Sequence, residues 1–447
     1  MTGKITIGKK VLTVIIKINS YFLDPAHNKQ QMVKGKDNIG IIACGGPAPG
    51  INAVISAATI EAVNSGKNVI GILDGFRWIS RGDITKVKHL TIENTSRIHT
   101  QGGSIIGISR ENPLADKKTL KNTISSINKL GIKYLITIGG DGSMYLASRL
   151  EKEMKGKIHI AHLPKTIDNN LPLPDNNSTF GYETAKHIGT EIVNYLMEDA
   201  KTTKRWFLVV TMGRKTGHLA MGIGKSAGTT LTLIPEEFKE KKIPVSKIIK
   251  ILEGSIIKRL LDGKEYGVAI IAEGIAEKIL KNDIDKVSEL KKDPLGRTRF
   301  SDFKLAPYLK YELDKSLSGK GINMTIIDKR IGYELRSAPP IPFDLCYTRD
   351  LGYSAVKYLL DGGSGAMISI TNGRMNPLKF NTLQNKKTSA TKIRYVDINT
   401  ESFEVAQKYM IKLTQKDIND PKKLKGMAEL SNMSESDFIE YYREVIE

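Results

Sequence analysis

The stretch from Leu135 to Asn170 constrains what this chain can fold into more than any other. Leu135 to Ile138 is an apolar run that stops at Gly139-Gly140-Asp141-Gly142-Ser143. A buried strand therefore ends in a turn able to bring bare backbone amides to an anion. A helix is predicted from that turn, with Leu146, Leu150 and Met154 on one face and Gly156 just past its end. A second strand, Ile158 to Leu163, delivers Pro164-Lys165-Thr166-Ile167-Asp168-Asn169-Asn170. Two strand ends thus present Asp141, Lys165 and Asp168. A glycine-lined anion site beside two carboxylates and a lysine points to phosphate, a divalent metal and a proton acceptor.

Other segments repeat the pattern. Ile39 to Cys44 reads as a strand leading into Gly45-Gly46-Pro47-Ala48-Pro49-Gly50, followed by a helix over Asn52 to Asn64 and a strand over Val69 to Leu73. This is the βαβ unit of a parallel sheet, whose ligands sit beyond the carboxyl ends of the strands. A third glycine-rich segment, Gln101 to Arg110, carries an arginine, and the next helix has Leu120, Ile124, Ile127 and Leu130 on one face with Gly131 as its stop. The proline-containing LPLPDNN reads as a domain crossing. Beyond it, Gly181 to Ala200 is predicted helical, and Trp206 to Met212 is a strand ending in Gly213-Arg214-Lys215-Thr216-Gly217. Strands at Thr230 to Ile234 and Tyr266 to Ala272 flank a helix near Val245 to Leu261. The charged segment from Ala276 to about Tyr311 reads as a surface insertion. A helix over Asp350 to Leu360, a strand over Ala366 to Thr371 and a polar helical tail from about Thr400 complete the chain.

With 447 residues, 40% hydrophobic and 26% charged, the chain has the length for two domains and the balance of a globular protein. The net charge of +20 fits nucleic acid, a membrane surface or anionic small molecules. Its lysines and arginines are spread along the chain instead of clustering, so local basic pockets for phosphorylated substrates are expected, without a nucleic-acid or membrane partner. Cys44 and Cys346 have no metal-binding spacing and are expected as core or site-adjacent thiols of a cytoplasmic protein. Val11 to Ile16 is too short an apolar run for a signal peptide, and residues 1–37 read as a lysine-rich, β-prone extension on the domain surface or at a subunit contact.

GGPAPGIN, GGSIIGISR, GGDGS, PKTIDNN and MGRKTGH occur in that order, each at or just after a predicted strand end. Together they closely resemble the phosphofructokinase family over roughly residues 38 to 372. The resemblance implies an α/β protein of two Rossmann-like, three-layer α/β/α domains with mainly parallel sheets. Residues 38–175 plus about 340–366 would form a phosphoryl-donor domain. Residues 176–339 plus about 367–447 would form a fructose-6-phosphate domain, with the charged insertion near 276–311. It also implies Mg²⁺-dependent phosphorylation of the 1-hydroxyl of fructose 6-phosphate, in glycolysis, by a homodimer or higher homo-oligomer.

The family's roles carry over onto matching residues. Asp141 would hold Mg²⁺, Asp168 would accept the hydroxyl proton, and Thr166 would hydrogen-bond the sugar phosphate or the moving phosphoryl group. Arg110 and Arg214 would neutralise charge on that group. Gly46, Gly140, Gly142, Ser143 and Lys165 would join Arg110 around the donor. Arg205, nine residues before Arg214, would reach the 6-phosphate of a neighbouring subunit. Met212, Gly213 and Glu273 would line the sugar, and Tyr333 and Arg336 in GYELRS would complete its phosphate clamp. Two positions depart from the family pattern: Asn170 stands where a second aspartate is usual, and Pro47 where Asp is common in the first glycine turn.

Family members use ATP or inorganic pyrophosphate. Gly142 resembles the ATP users, because a small residue leaves room for an α-phosphate. Lys165 resembles the pyrophosphate users, as do the N-terminal extension, the mid-chain insertion and GYELRS. Pyrophosphate is the expected donor, with ATP the alternative. A dehydrogenase would require a clean GxGxxG followed by an acidic residue, which the chain lacks. A nucleic-acid-binding protein, suggested by charge alone, would require a contiguous basic groove.

Overall fold

The computed structural model describes residues 2–7, 10–15, 37–285 and 304–446. Two compact units emerge, residues 1–36 and 37–447. In the first, β1 (Thr2–Ile7) and β2 (Lys10–Ile15) form an antiparallel hairpin. The remainder of the extension, and residues 286–303 of the expected insertion, lie outside the described residues.

The second unit holds two sheets. The larger has seven strands in the order β13-β12-β7-β6-β3-β4-β5. Its members are β3 (Asn38–Ala43), β4 (Val69–Ile72), β5 (Val87–Leu90), β6 (Ile132–Gly139), β7 (His159–Pro164), β12 (Ala366–Thr371) and β13 (Arg374–Lys379). Only the edge strands β5 and β13 run antiparallel to their neighbours. The smaller sheet is all parallel, in the order β11-β8-β10-β9, built from β8 (Trp206–Thr211), β9 (Leu231–Leu233), β10 (Gly267–Ala272) and β11 (Ile326–Ile331).

Continuous apolar runs make these central strands because helices cover both faces. Ile41 packs into one core layer and Ile42 into the opposite one, as the alternation of strand side chains requires. Leu208 and Val210 divide from Phe207 and Val209 in the same way in the smaller sheet. From β3 the chain moves outward to β4, then returns to place β6 on the other side of β3. The loops after β3 and β6 therefore diverge, which opens a crevice at the carboxyl edge of the sheet.

Several expectations change. The larger sheet takes back the chain as far as Lys379, beyond the expected boundary near 366. The helix expected from Asp350 begins at Pro342, because its first turns carry buried Asp344 and Thr348 where apolar residues would have marked it. The segment expected as a surface insertion contributes buried Ala276 and Ile279, and ends in a helix, Leu305–Gly319, that buries Leu305, Leu309, Leu313 and Leu317 in the core of the smaller sheet. That spacing of four places the leucines on one stripe beneath a charged outer face. Strands β5, β11 and β13 have no apolar run to announce them; β11 reads IIDKRI.

Asp344 joins the two halves. Its carboxylate accepts hydrogen bonds from the backbone amides of Gly181 and Thr184, each at 2.8 Å, and from the Thr184 hydroxyl, which caps the Tyr182–Thr203 helix from outside. Replacing it strands buried donors. Asp344→Ala is expected to cost about 3 kcal/mol of stability, and Asp344→Asn less, since a carbonyl acceptor remains. Denaturant midpoints of both variants within experimental error of the parent would contradict this.

Candidate active site

A cleft of about 800 Å³ opens where the carboxyl ends of the two sheets meet. The larger sheet contributes three turns. After β3, Cys44 lies buried beneath Gly45 and Gly46. After β6, Gly139 leads through Gly140 into the helix Asp141–Met154, which brings Asp141 and Ser143 to the amino end of that helix. A side chain at 139 is excluded because its Cβ would stand 2.2 Å from Ser143 Cβ. After β7, Lys165 donates its backbone amide to the Gly139 carbonyl at 2.9 Å, so the second and third turns are fastened together.

Lys165 is 3% exposed, and its ammonium donates to the Gly46 carbonyl. Burial holds its pKa down to about 7, and the Arg336 guanidinium acts in the same direction. Burial likewise pushes the Cys44 thiol up to about 12. Beyond Lys165, the Thr166 hydroxyl accepts the Asp168 amide at 3.1 Å and fixes the turn that presents the Asp168 carboxylate.

The smaller sheet supplies the opposite wall. Beyond β8, Arg214 adopts a left-handed backbone, φ 53°, and directs its guanidinium across the cleft. Its Nη1 lies 3.4 Å from Asp141 Oδ1 and its Nε 3.5 Å from Asp168 Oδ2. Beyond β10, Glu273 accepts the backbone amides of Arg214 at 2.8 Å and Gly213 at 3.2 Å, while its other oxygen lies 3.4 Å from Arg330. Burial raises the Glu273 pKa, and the Asp168 charge adds to the rise. Beyond β11, Tyr333 is largely exposed and stacks under Arg336. Arg336 lies against the first glycine turn so closely that a Cβ on Gly46 would come 1.7 Å from its Nη2. Glycine at 46 is what lets this guanidinium into the cleft.

The structure brings most of the expected residues into one cleft. Gly140, Gly142, Ser143 and Arg110 line the side near Asp141, whereas Met212, Glu273 and Tyr333 line the side across from it. Gly213 stands behind the lining as a donor to Glu273. Arg205 is not brought in: it lies outside this cleft, its Nε 3.8 Å from Asp199 Oδ1. Asn170 is buried in the lining, and its side-chain oxygen has no hydrogen-bond partner among the described residues. Cys346 is exposed, contrary to the expectation of a core or site-adjacent thiol, because it falls on the outer face of its helix.

Sequence reasoning missed the last wall. Thr388, Ala390, Thr391 and Ile393 line the cleft from a loop that follows the larger sheet. The polar stretch NKKTSATK carries neither periodicity nor a glycine signature that would have identified it. Arg330 was also missed, hidden in the charged strand β11. Chemically, the cleft combines buried cationic groups, glycine-rich amides and two carboxylates bridged by an arginine. It can hold a polyanion beside a proton acceptor.

Comparison with known proteins agrees with this chemistry. A Thermotoga maritima protein named pyrophosphate–fructose 6-phosphate 1-phosphotransferase is 48% identical over 91% of this chain and 98% of its own length. A Naegleria fowleri protein of the same name is 43% identical over 93% of this chain and 97% of its own. The crystal structure of Pichia pastoris phosphofructokinase in the T-state shares the fold, with a TM-score of 0.61 at 22% identity, covering 92% of this chain; the chain spans only 39% of that longer polypeptide. The phosphofructokinase pattern itself matches residues 38–359, and the chain belongs to that family.

Proposed function

We propose that this enzyme transfers a phosphoryl group from inorganic pyrophosphate to the 1-hydroxyl of fructose 6-phosphate, giving fructose 1,6-bisphosphate and phosphate in a reversible glycolytic step. The observation that carries the donor assignment is Lys165, whose ammonium is buried against the Gly46 carbonyl between the glycine turns. A buried lysine with its pKa pulled down to about 7 is a poor design for an empty site and a good one for a small, highly charged anion that restores its charge. The names of the Thermotoga and Naegleria relatives support the same donor. ATP remains the second reading, on the strength of Gly142.

In this reading Asp168 accepts the proton of the sugar hydroxyl as its oxygen bonds to phosphorus and the bond to the departing phosphate breaks. Arg214, spanning Asp141 and Asp168, lies between donor and acceptor and offsets charge on the transferring group. Arg336, Tyr333 and Met212 would hold the sugar phosphate end, and Glu273, near Arg330, would accept sugar hydroxyls. Gly46, Gly140, Ser143 and Arg110 would hold the donor, with Thr166 between donor and sugar.

Mg²⁺ fits the donor set. Among the described residues no group of three or more His, Cys, Asp or Glu converges, so Asp141 would share the ion with phosphate oxygens and water. Bound there, Mg²⁺ supplies charge neutralisation to the donor oxygens. Arg205, outside its own cleft, suits a role in a neighbour's site, which supports a homodimer or higher homo-oligomer. No described helix is long and apolar enough to cross a membrane, and the two free cysteines suit the cytoplasm.

Supplying fructose 6-phosphate and Mg²⁺ with either donor should yield bisphosphate with pyrophosphate; product with ATP alone would sink the donor assignment. Asp168→Asn is expected to lose turnover by about 10³-fold with little change in KM, and near-normal turnover would remove Asp168 as the base. Lys165 also makes stability depend on pH. Its pKa is about 7 folded against 10.5 unfolded, so between those values the unfolded chain holds more protons and stability rises with pH. Without ligand, the denaturant midpoint should climb from pH 7 to 9, and Lys165→Met should flatten that climb; an unchanged slope would contradict a buried, depressed lysine.

A further inference from the structure

Residues 384–396 lie beyond the part of the chain that matches the family pattern, yet they touch all three motif turns around Asp168. The Thr391 hydroxyl donates to the Asp141 carbonyl at 2.7 Å. The Arg394 backbone amide donates to the Asn170 carbonyl at 2.9 Å. On the other side, His218 Nε2 meets the Arg394 carbonyl at 3.2 Å. Glu236 accepts both the Val396 amide at 3.1 Å and the Gly217 amide at 3.0 Å. The segment is a strap laced across GGDGS, PKTIDNN and MGRKTGH.

The side chain of Arg394 is its most specific part. Its Nε and Nη2 donate to the Asn169 carbonyl at 3.2 and 3.0 Å, Nη1 to the Asn177 carbonyl at 2.8 Å, and Nη2 also to Asn169 Oδ1. These acceptors are carbonyl oxygens and an amide oxygen. The guanidinium therefore spends its donors on holding a backbone shape instead of neutralising a carboxylate, a use that a planar fork serves and a single ammonium does not. The shape it holds is a left-handed one: Asn169 has φ 52° and follows Asp168 directly. On the other side of Asp168, the Thr216 hydroxyl donates to its carbonyl at 3.3 Å. The orientation of the Asp168 carboxylate is thus set by the turn that Arg394 clamps.

We propose that Arg394 is a positioning residue for proton transfer, acting through Asn169 to aim the Asp168 carboxylate, and that the 384–396 strap exists to hold this turn in register with Asp141. The proposal rests on Asp168 being the base. Arg394 is not itself among the described residues that line the cleft, and it reaches the lining through its backbone amide to Asn170, so its loss falls mainly on turnover.

A double-mutant cycle separates these roles. Arg394→Lys, which keeps the charge, and Arg394→Met are each expected to lower kcat by about 10²-fold while both KM values stay within about threefold, because misaiming a catalytic group costs rate and not affinity. In an Asp168→Asn background the same Arg394 changes should lower the residual rate by less than about threefold, since the group they aim no longer acts as a base. A loss as large in that background as in the parent, or a raised KM at unchanged kcat, would overturn the positioning role and leave the base assignment standing. Near-normal turnover of Asp168→Asn alone would overturn the base assignment and this inference with it. Should Arg394→Met fail to fold, Arg394→Lys completes the cycle alone.

Discussion

The guanidinium of Arg214 stands between two carboxylates, Asp141 and Asp168, that arrive from separate strand ends of the larger sheet. Arg214 itself comes from the smaller sheet, so one side chain ties the catalytic edge of one sheet to that of the other. Its backbone, left-handed at φ 53°, is tied to Glu273, which accepts the amides of Gly213 and Arg214. Glu273 in turn is steadied by Arg330. The alternating charges form a chain in which each group is oriented by the next, and such preorganisation is where phosphoryl-transfer enzymes obtain most of their rate.

Around that chain, charge is concentrated where solvent is scarce. Lys165 and Arg336 crowd the first glycine turn; burial lowers the pKa of each, Arg336 adds to the lowering of Lys165, and Arg214 adds to that of Arg336. Two cations brought this close are unfavourable until an anion joins them. The absence of Cβ atoms at Gly45 and Gly46 leaves space for both cations and exposes backbone donors beside them. In the proposed reaction the donor beside Lys165 and the sugar phosphate beside Arg336 would satisfy this arrangement, whereas neutral ligands would leave the cations uncompensated.

Much of this was legible in the chain. Gly139-Gly140-Asp141, Lys165-Thr166 and Asp168 announce the turns that meet at the cleft, because glycines and carboxylates at successive strand ends place bare amides and charge at one edge of a parallel sheet. The central strands were legible because burial on both faces requires uninterrupted apolar residues, as in Ile39 to Ala43. Elements with mixed faces were not: β11 carries Asp328, Lys329 and Arg330 in an edge strand, and the first turns of the Pro342–Leu360 helix bury Asp344. The strap was invisible for a different reason. Thr391 and Arg394 act through hydrogen bonds to backbone carbonyls, which leave no periodicity and depend on a path through space that spacing along the chain does not encode.

In the proposed reaction the phosphoryl group moves between the sugar and inorganic phosphate. Its most direct test runs the reaction backwards, with fructose 1,6-bisphosphate, inorganic phosphate and Mg²⁺ followed by phosphorus NMR. A pyrophosphate resonance should grow in step with fructose 6-phosphate, without any nucleotide present. No pyrophosphate signal, with sugar monophosphate released only when ADP is added and ATP formed, would contradict it.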